Sequence, residues 1–379
     1  MNRIQRLTVT ALLMLCSAVS FGQDYQIEII ASGLDHPWSI AWLPDGRALI
    51  TERPGRLRVI DDGKLAENPV DGMPEVLAAS QGGLFEALPD PDFKSNGLVY
   101  MSFAYGSADA NATRVIRARL DDMRLVDQQV IFTASPLKDT PVHYGGRMAF
   151  LPDGTLLIGL GDGFDYREQA QKLDNHFGKI VRINTDGSVP DDNPFIDTED
   201  ALPEIYSYGH RNIQGLLYDQ VTDKIWQHEH GPRGGDEINL IRAGENYGWP
   251  VATRGIDYSG AIVSPYESRP GMVDPLLVWT PSIAPAGMTL YRGRLFPQWA
   301  GQLFVTALAA RNLRRIEIVD GSPQNQHVMI DDRNQRLRDV RTGPDGALYV
   351  LVDAADGQLL RISPPADQGR SFDRVDPQP

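Results

Sequence analysis

The sequence predicts an all-β protein, and among all-β architectures it favours a six-bladed β-propeller. A turn followed by a short β run recurs as LPDGRALITE (43–52), LPDGTLLIGLGD (151–162) and GPDGALYVLVD (343–353). Each copy places a Pro-Asp-Gly turn before branched or aromatic residues. No long stretch shows helical periodicity free of Gly or Pro. A repeated turn-and-strand unit is typical of a propeller, whose blades repeat and whose loops gather on one face.

Further strand-like runs lie between these repeats. They are LRVID (57–61), LPDPDFKSNGLVYMSFA (88–104), ATRVIRARL (112–120), IVRINT (180–185), KIWQHEH (224–230), MTLYRG (288–293), QLFVTALA (302–309) and NLRRIEIV (312–319). At about sixty residues a blade, the chain beyond residue 22 holds about six blades. Two β-sandwich domains in tandem are the alternative. No interior stretch is typical of a linker, which favours a single domain over residues 23–362, followed by a polar, proline-rich and flexible tail over residues 363–379.

Residues 1–22 have the features of a secretory signal peptide. Two arginines precede an apolar run that ends at Cys16, and Ser20 and Gly22 fit the positions before a cleavage site. The run is too short for a stable membrane anchor, and no later segment is apolar enough to be inserted. A lipoprotein site at Cys16 is less favoured, because Leu15 is larger than such sites usually accept. We therefore expect a periplasmic or secreted protein, cleaved near Gly22.

Charge and cysteine content narrow the class of partner. Removal of residues 1–22 lowers the Lys+Arg count from 36 to 34 against 50 Asp+Glu, which changes the net charge from −14 to −16. So acidic a protein is not expected to bind nucleic acid or an anionic membrane. The one cysteine leaves with the signal, so stability must come from packing or bound ions. Monomer and homodimer both remain open.

The segment HYGGRMAFLPDGTLLIGLGDG (143–163) predicts a general base. His143 lies at a junction of loop and strand, and Asp162 lies in a glycine-flanked loop at the far end of the next strand. A histidine has an ordinary pKa near neutrality and is therefore available as a base. The alternative is a surface histidine without function. The glycine pair after His143 and the second polar loop favour a site.

Three arginines and an asparagine are candidates for binding an anion. GHRNIQG (209–215) places Arg211 and Asn212 between glycines, and RLRD (336–339) places Arg336 and Arg338 on one face of a strand. Arginine presents a planar fork that matches carboxylate. Two like charges side by side are unfavourable unless an anion lies before them. That anion is either a neighbouring acidic residue or a multiply charged ligand.

The run HEHGPRGGDEINL suggests a metal site of one of two kinds. His228 and His230 alternate onto one strand face, as zinc or copper ligands do, but no third His or Cys follows at ligand spacing. Oxygen ligation of a hard cation is favoured instead. The carbonyls of Gly231 and Pro232, with Asp236 and Glu237 nearby, suit calcium. An acidic loop without a metal is the remaining alternative.

Together these motifs resemble the pyrroloquinoline quinone (PQQ)-dependent glucose/sorbosone dehydrogenase family, and within it the soluble aldose sugar dehydrogenases. The likeness extends from GLDHPWSIAWLPDGRALITERPGRLRVI (33–60) to PDGALYVLVD. HYGGRMAFLPDG, GHRNIQGL, GPRGGDEINLI with ENYGWP, and RLRDVRTGPDG follow in the family's order. The resemblance implies a six-bladed propeller with PQQ on one face and oxidation of an aldose at C1 to the lactone, with an unknown electron acceptor.

The resemblance also implies roles for single residues. His143 matches the base that deprotonates the anomeric hydroxyl, and Asp162 matches an acid near the sugar. Arg211 and Asn212 match the pair beside the quinone carbonyl, where charge develops. The remaining matches concern the cofactor and its ions: Gln81, Arg336, Arg338 and Tyr258 at PQQ, the carbonyls of Gly231 and Pro232 at a calcium against PQQ, and Glu237 and Tyr247 at a second, structural calcium.

One position departs from the family's pattern. A lysine that contacts PQQ commonly follows the strand corresponding to QLFVTALA, and here that position is Ala309, with Arg311 two residues on. Arg311 is a candidate substitute. The departure leaves a second function open, a non-catalytic propeller that binds a carbohydrate or protein partner. A calcium-dependent lactonase is a third, but the ring of acids and asparagines that it uses is not evident.

Overall fold

Six four-stranded antiparallel sheets form a closed ring in this computed structural model, which describes residues 25–365. This confirms the predicted six-bladed β-propeller. The predicted signal peptide, residues 1–22, and residues 366–379 of the predicted tail lie outside the described residues. No helix among the described residues is long and apolar enough to cross a membrane.

The strands follow one another blade by blade. The first strand, β1 (Gln26–Leu34), belongs to the last blade. Blades 1 to 3 are β2 to β5 (Pro37–Trp42, Ala48–Glu52, Arg56–Asp61, Lys64–Leu65), β6 to β9 (Leu84–Pro89, Leu98–Ser107, Ala110–Asp121, Arg124–Thr133) and β10 to β13 (Gly145–Phe150, Leu156–Leu160, Lys179–Ile183, Ile205–Tyr208). Blades 4 to 6 are β14 to β17 (Ile213–Asp219, Lys224–Glu229, Asp236–Ile241, Leu277–Trp279), β18 to β21 (Pro285–Leu290, Leu303–Ala307, Asn312–Val319, Ser322–Met329) and β22 to β24 (Leu337–Thr342, Leu348–Val352, Gly357–Ser363) with β1.

The ring is closed by strands from the two ends of the described chain. β1 pairs antiparallel with β24, in a register that runs from Gln26 opposite Ser363 to Leu34 opposite Gly357. Blade 6 therefore takes one strand from the start of the chain and three from its end. β24 ends at Ser363, one residue beyond the predicted domain boundary.

The three Pro-Asp-Gly repeats lead into the second strands of blades 1, 3 and 6. Every residue of β3, β11 and β23 is buried, since both faces of these strands are covered by neighbouring blades. Continuous apolar runs suit such strands. Helix is scarce, as predicted. Among the described residues it comprises Phe93–Asn96 and three 3-10 segments, Arg167–Gln171, Pro297–Trp299 and Asp331–Arg333.

Candidate active site

A polar cavity of about 490 Å³ opens where the innermost strands of the blades begin. All six blades contribute to its wall, through residues just before or within their innermost strand or just after the second strand. The lining residues are His36, Trp38, Arg53, Ser80, Gln81, Phe85, Tyr144, Gly145, Asn212, Gln214, His230, Ala284, Leu308, Arg336, Arg338 and Asp353. Ring closure therefore brings together segments that are far apart in the sequence.

Four predicted cofactor residues line this cavity: Gln81, Asn212, Arg336 and Arg338. Gln81 accepts the backbone N–H of His143 through its side-chain oxygen at 2.9 Å. The Asn212 side-chain oxygen accepts the N–H of Gly145 at 3.3 Å. These bonds join the loops of blades 2, 3 and 4, so the candidate base and the cavity wall form one unit.

The candidate base forms a buried pair with Asp162. His143 Nδ1 lies 2.7 Å from Asp162 Oδ1, and both side chains are almost wholly inaccessible. The same carboxylate accepts the indole N–H of Trp249 at 2.8 Å and the backbone N–H of Phe164 at 2.8 Å. A carboxylate with three donors is held firmly in its ionised form. Asp162 therefore orients the imidazole.

The pKa values of this pair move in ways that suit a base. Burial raises the pKa of Asp162, but the hydrogen bond from His143, the positive charge of Arg211 and the backbone N–H of Phe164 together outweigh it, so the pKa lies below its ordinary value. Burial lowers the pKa of His143 below 6.5, although the hydrogen bond to Asp162 opposes the shift. His143 is accordingly neutral at pH 7. Its Nδ1–H points to Asp162, which leaves the lone pair on Nε2.

Two exposed aromatic rings lie beside the pair. The Phe164 ring packs edge-on against His143 at 5.1 Å and stacks with Tyr258 at 6.2 Å between centroids. Phe164 has φ +70°, a left-handed conformation that is costly for a bulky residue. The Arg211 guanidinium lies 5.9 Å from the Tyr258 ring and 5.2 Å from that of Trp249. The predicted cofactor neighbour Tyr258 is thus near the base, although it does not line the cavity.

The predicted calcium carbonyls already have hydrogen-bond partners. Arg211 Nη1 donates to Gly231 O at 2.6 Å, and Ser282 Oγ donates to Pro232 O at 3.3 Å. A carbonyl oxygen has two lone pairs, so neither bond fills the acceptor. Asp236, suggested from the sequence as a nearby ligand, instead fixes the loop. Its carboxylate accepts the backbone N–H groups of Gly231, Ile283 and Ala284 at 2.7–2.9 Å.

We use the name cavity arginine cluster for Arg336, Arg338 and Asp353. Asp353 Oδ2 lies 3.1 Å from Arg336 Nη2 and 3.2 Å from Arg338 Nη2. The neighbouring acidic residue considered as an alternative anion is therefore present, but its single carboxylate faces two guanidinium groups. Arg338 Nε is buried and has no hydrogen-bond partner. Burial also lowers the pKa of Arg338. The cluster has an excess of positive charge and a free donor, which fits an anionic ligand.

A second charged group lies on the innermost strands, around the axis of the ring. This tunnel quartet consists of Glu86, Arg147, Asp339 and Arg341, from the innermost strands β6, β10 and β22. Arg147 lies 3.3 Å from Glu86 and 3.2 Å from Asp339, and Arg341 lies 2.7 Å from Glu86. Two cations thus face two anions, and all four are buried or nearly so.

The second predicted metal position contains two adjacent buried carboxyl groups. Glu229 and Glu237 are directly opposite in β15 and β16. Burial raises the pKa of Glu229 to about 7, and burial together with Glu229 raises that of Glu237. The side-chain oxygen of nearby Asn239 is buried without a partner. These oxygens fit a hard cation. The Tyr247 hydroxyl is used elsewhere, since it donates to the Leu240 carbonyl at 2.7 Å.

The structure does not support a zinc or copper site at His228 and His230. His230 donates from Nε2 to Pro285 O at 2.7 Å, and His228 is fully buried against Gly215. Within residues 25–365 no group of three or more His, Cys, Asp or Glu side chains is arranged to hold a metal. Burial lowers the pKa of His230 to about 3, so it stays neutral.

Several wall residues were not predicted as site residues. Trp38, Arg53 and Tyr144 fall within or beside quoted motifs, but nothing in their local pattern distinguishes them from structural residues. Ala309 is exposed, and Leu308 lines the cavity in its place. Arg311 donates to the Asn334 side chain at 3.0 Å and is not part of the wall.

Comparison with known proteins gives the same assignment. The family described as Glucose / Sorbosone dehydrogenase matches residues 34–361. The chain belongs to this family. It is 42% identical over 344 residues to the aldose sugar dehydrogenase YliI of Escherichia coli, which covers 89% of this chain and 92% of the relative. The soluble aldose sugar dehydrogenases recognised from the motifs are therefore the correct branch.

Two solved structures of the family extend the likeness to the fold. A crystal structure of glucose dehydrogenase superimposes with a TM-score of 0.86 at 44% identity, over 89% of this chain and 99% of that one. The PQQ-bound form of aldose sugar dehydrogenase from Streptomyces coelicolor superimposes with a TM-score of 0.73 at 26% identity, over 89% and 98%. The family thus includes at least one propeller that holds PQQ.

Proposed function

We propose that the chain is a PQQ- and calcium-dependent aldose dehydrogenase that oxidises the C1 hydroxyl of a sugar to the lactone. The observation that carries the proposal is the buried His143–Asp162 pair beside a cavity with excess arginine charge. Oxidation of the hydroxyl needs a base for its proton, and a tricarboxylate cofactor needs cationic groups. The PQQ-bound Streptomyces relative supports the choice of cofactor.

The residues that would hold PQQ are Gln81, Asn212 and Tyr258, with Arg336 and Arg338 at its carboxylates. The carbonyls of Gly231 and Pro232 would hold calcium beside it. When bound, PQQ supplies the quinone that accepts the hydride, and calcium supplies a Lewis acid. The partnerless Arg338 Nε is the feature that best fits such an anion.

His143 Nε2 takes the proton of the C1 hydroxyl. Asp162 accepts Nδ1–H and so fixes the tautomer, and its other donors, Trp249 and Phe164, keep it ionised. Asp162 also stabilises the imidazolium that forms. Arg211, beside the pair, contributes positive charge where negative charge develops. The exposed Phe164 ring offers an apolar surface to the sugar.

The carboxyl pair of Glu229 and Glu237 is a candidate for a structural calcium site. Two adjacent buried carboxylates repel each other, and a divalent cation removes that repulsion. Since the Tyr247 hydroxyl is bonded to Leu240, any ligand atom from Tyr247 would be its main-chain oxygen.

The test is reconstitution of purified apoprotein with PQQ and calcium, followed by dye reduction with several aldoses. We expect saturable PQQ binding and turnover. A His143→Gln variant should bind PQQ normally and lose about 10²–10⁴-fold in kcat. Because the pKa of His143 is lowered, the acid limb of kcat/KM should lie below pH 6.5. Absence of saturable PQQ binding would refute the proposal.

A non-catalytic binding propeller is the second candidate, because Arg311 does not replace the family's lysine in the cavity wall. PQQ binding without turnover would favour it. A lactonase lacks support, since Asp353 is the only carboxylate among the described residues that line the cavity. Lactone hydrolysis without added PQQ would revive that alternative.

A further inference from the structure

Lys138 is a buried lysine that the proposed mechanism leaves unused. It is 5% exposed. Its ammonium donates to the Asn111 side-chain oxygen at 2.7 Å and to the Thr140 carbonyl, and it lies 3.6 Å from the centre of the Tyr144 ring. Within residues 25–365 it forms no ion pair with a carboxylate. A buried ammonium without a counter-ion in contact is energetically costly, so the burial of Lys138 needs a physical explanation.

The side chain lies directly behind the catalytic pair. Tyr144 follows His143 in the chain, and its hydroxyl donates to the same Asn111 oxygen at 2.8 Å. Gly163 follows Asp162, and a Cβ there would come within 2.9 Å of the Lys138 side chain. The Thr140 hydroxyl adds a bond to the Gly163 carbonyl at 2.6 Å. Lys138 therefore packs against the neighbours of both His143 and Asp162.

We propose that Lys138 is a positioning residue for the base: from its buried position it holds the loops that carry His143 and Asp162, and it places a positive charge behind them. The inference rests on the proposed function, because it assigns His143 the role of base. Lys138 acts through Tyr144 and Gly163 and through the electric field, without touching substrate or cofactor.

The charges around His143 divide into two kinds. Asp162 favours the protonated imidazole, whereas Arg211 and Lys138 oppose it. His230, also nearby, stays neutral. Burial lowers the pKa of Lys138 to about 7, against the opposing charges of Asp162 and Asp139. As pH rises through 7, Lys138 loses its charge and His143 becomes the stronger base.

Histidine NMR on apoprotein tests this without cofactor or turnover. The ring signals of isotope-labelled histidine are followed against pH, with His143 assigned from the His143→Gln spectrum. We expect Lys138→Met to raise the pKa of His143 by roughly one unit. Lys179→Met is the matched control. Lys179 is fully buried, its ammonium donates to backbone carbonyls at 2.6–3.1 Å, and burial lowers its pKa to about 7, but it lies beside His210. It should leave His143 unshifted.

A second variant retains the lysine. Asn111→Asp places a carboxylate at the atom that now lies 2.7 Å from the ammonium. This counter-ion should also raise the pKa of His143, so the test survives if Lys138→Met does not fold. In reconstituted enzyme the acid limb of kcat/KM should move up in parallel. An unshifted His143 in both variants, or an equal shift in Lys179→Met, overturns the inference. Failure to bind PQQ overturns only the proposed function.

Discussion

The cavity arginine cluster and the tunnel quartet each contain an arginine of β22, but the two arginines have different roles. Arg338 and Arg341 are three residues apart in β22. Arg341 meets Glu86 and Asp339, in a group where two cations face two anions. Arg338 shares the one carboxylate of Asp353 with Arg336 and keeps a donor without a partner. Buried arginine thus becomes available to a ligand only where the local charge is left unbalanced.

The largest effect is expected from removal of a charge in the tunnel quartet. Arg147→Met leaves Glu86 and Asp339 facing Arg341 alone. A buried charge without compensation costs about 3–5 kcal/mol in the free energy of unfolding. Urea denaturation followed by fluorescence measures it. Arg119→Met is the control, because both partners of its ion pair with Asp127 at 3.0 Å are exposed, so that the pair should be worth less than about 1 kcal/mol. Equal losses in both variants would contradict the comparison.

The same substitution in the cavity arginine cluster should affect binding and leave stability nearly intact. Arg338→Met removes a guanidinium whose burial is already unfavourable, so the free energy of unfolding should change by less than about 1 kcal/mol. Affinity for PQQ should fall about 100-fold, because a buried charged contact is lost. A binding titration and a urea curve on one sample decide it. A large loss of stability would mean that Arg338 belongs to the scaffold.

Removal of the Asp353 carboxylate from the cavity arginine cluster should strengthen PQQ binding, whereas loss of Arg338 should weaken it. Asp353→Asn frees Arg336 and Arg338 from their shared partner and adds no bulk. We expect affinity for PQQ to rise about tenfold at low salt, since two guanidinium groups then seek a carboxylate. Isothermal titration calorimetry measures the change. Weaker binding would show that Asp353 orients the arginines for the ligand.

The smallest expected effect is that of salt, which should weaken PQQ binding at the cavity arginine cluster more than it changes the stability supplied by the tunnel quartet. Arg336 is half exposed, so its attraction for an anion is screened at high ionic strength, whereas the buried quartet is shielded from salt. From about 0.05 to 0.5 M NaCl, PQQ affinity should fall several-fold while the urea midpoint hardly moves. Affinity that is insensitive to salt would place the ligand's charge away from Arg336.

Local chemistry explains what was predictable from the sequence. The Pro-Asp-Gly turns and buried β runs of β3, β11 and β23 are encoded within about ten residues each, as short-range signals are. Gln81, Asn212, Arg336 and Arg338 were predicted as site residues from the order of the motifs, and the structure brings these four together in one cavity wall. Strand ends were less certain: the run at 302–309 stops at Ala307 because the next residues turn back to bond Ile283.

What could not be predicted depends on contacts between blades. Asp236 reads as a metal ligand in its local sequence, but it bonds backbone N–H groups 47 and 48 residues away. Arg211 turns its guanidinium to the Gly231 carbonyl, 20 residues on. Lys138 lies in an unremarkable segment, and its burial behind His143 follows from Asn111 and Gly163. Such partners are fixed by the ring as a whole.

The pairing of β1 with β24 has a kinetic consequence. The Gln26 side chain donates to Ser363 at 3.2 Å across 337 residues of chain. A contact of such long sequence separation forms late, because loop closure costs entropy before the contact stabilises anything. The cavity wall draws on all six blades, so it cannot be complete until this last seam forms. In refolding, ligand affinity should therefore return only in the final step, after most strands have regained their pairing.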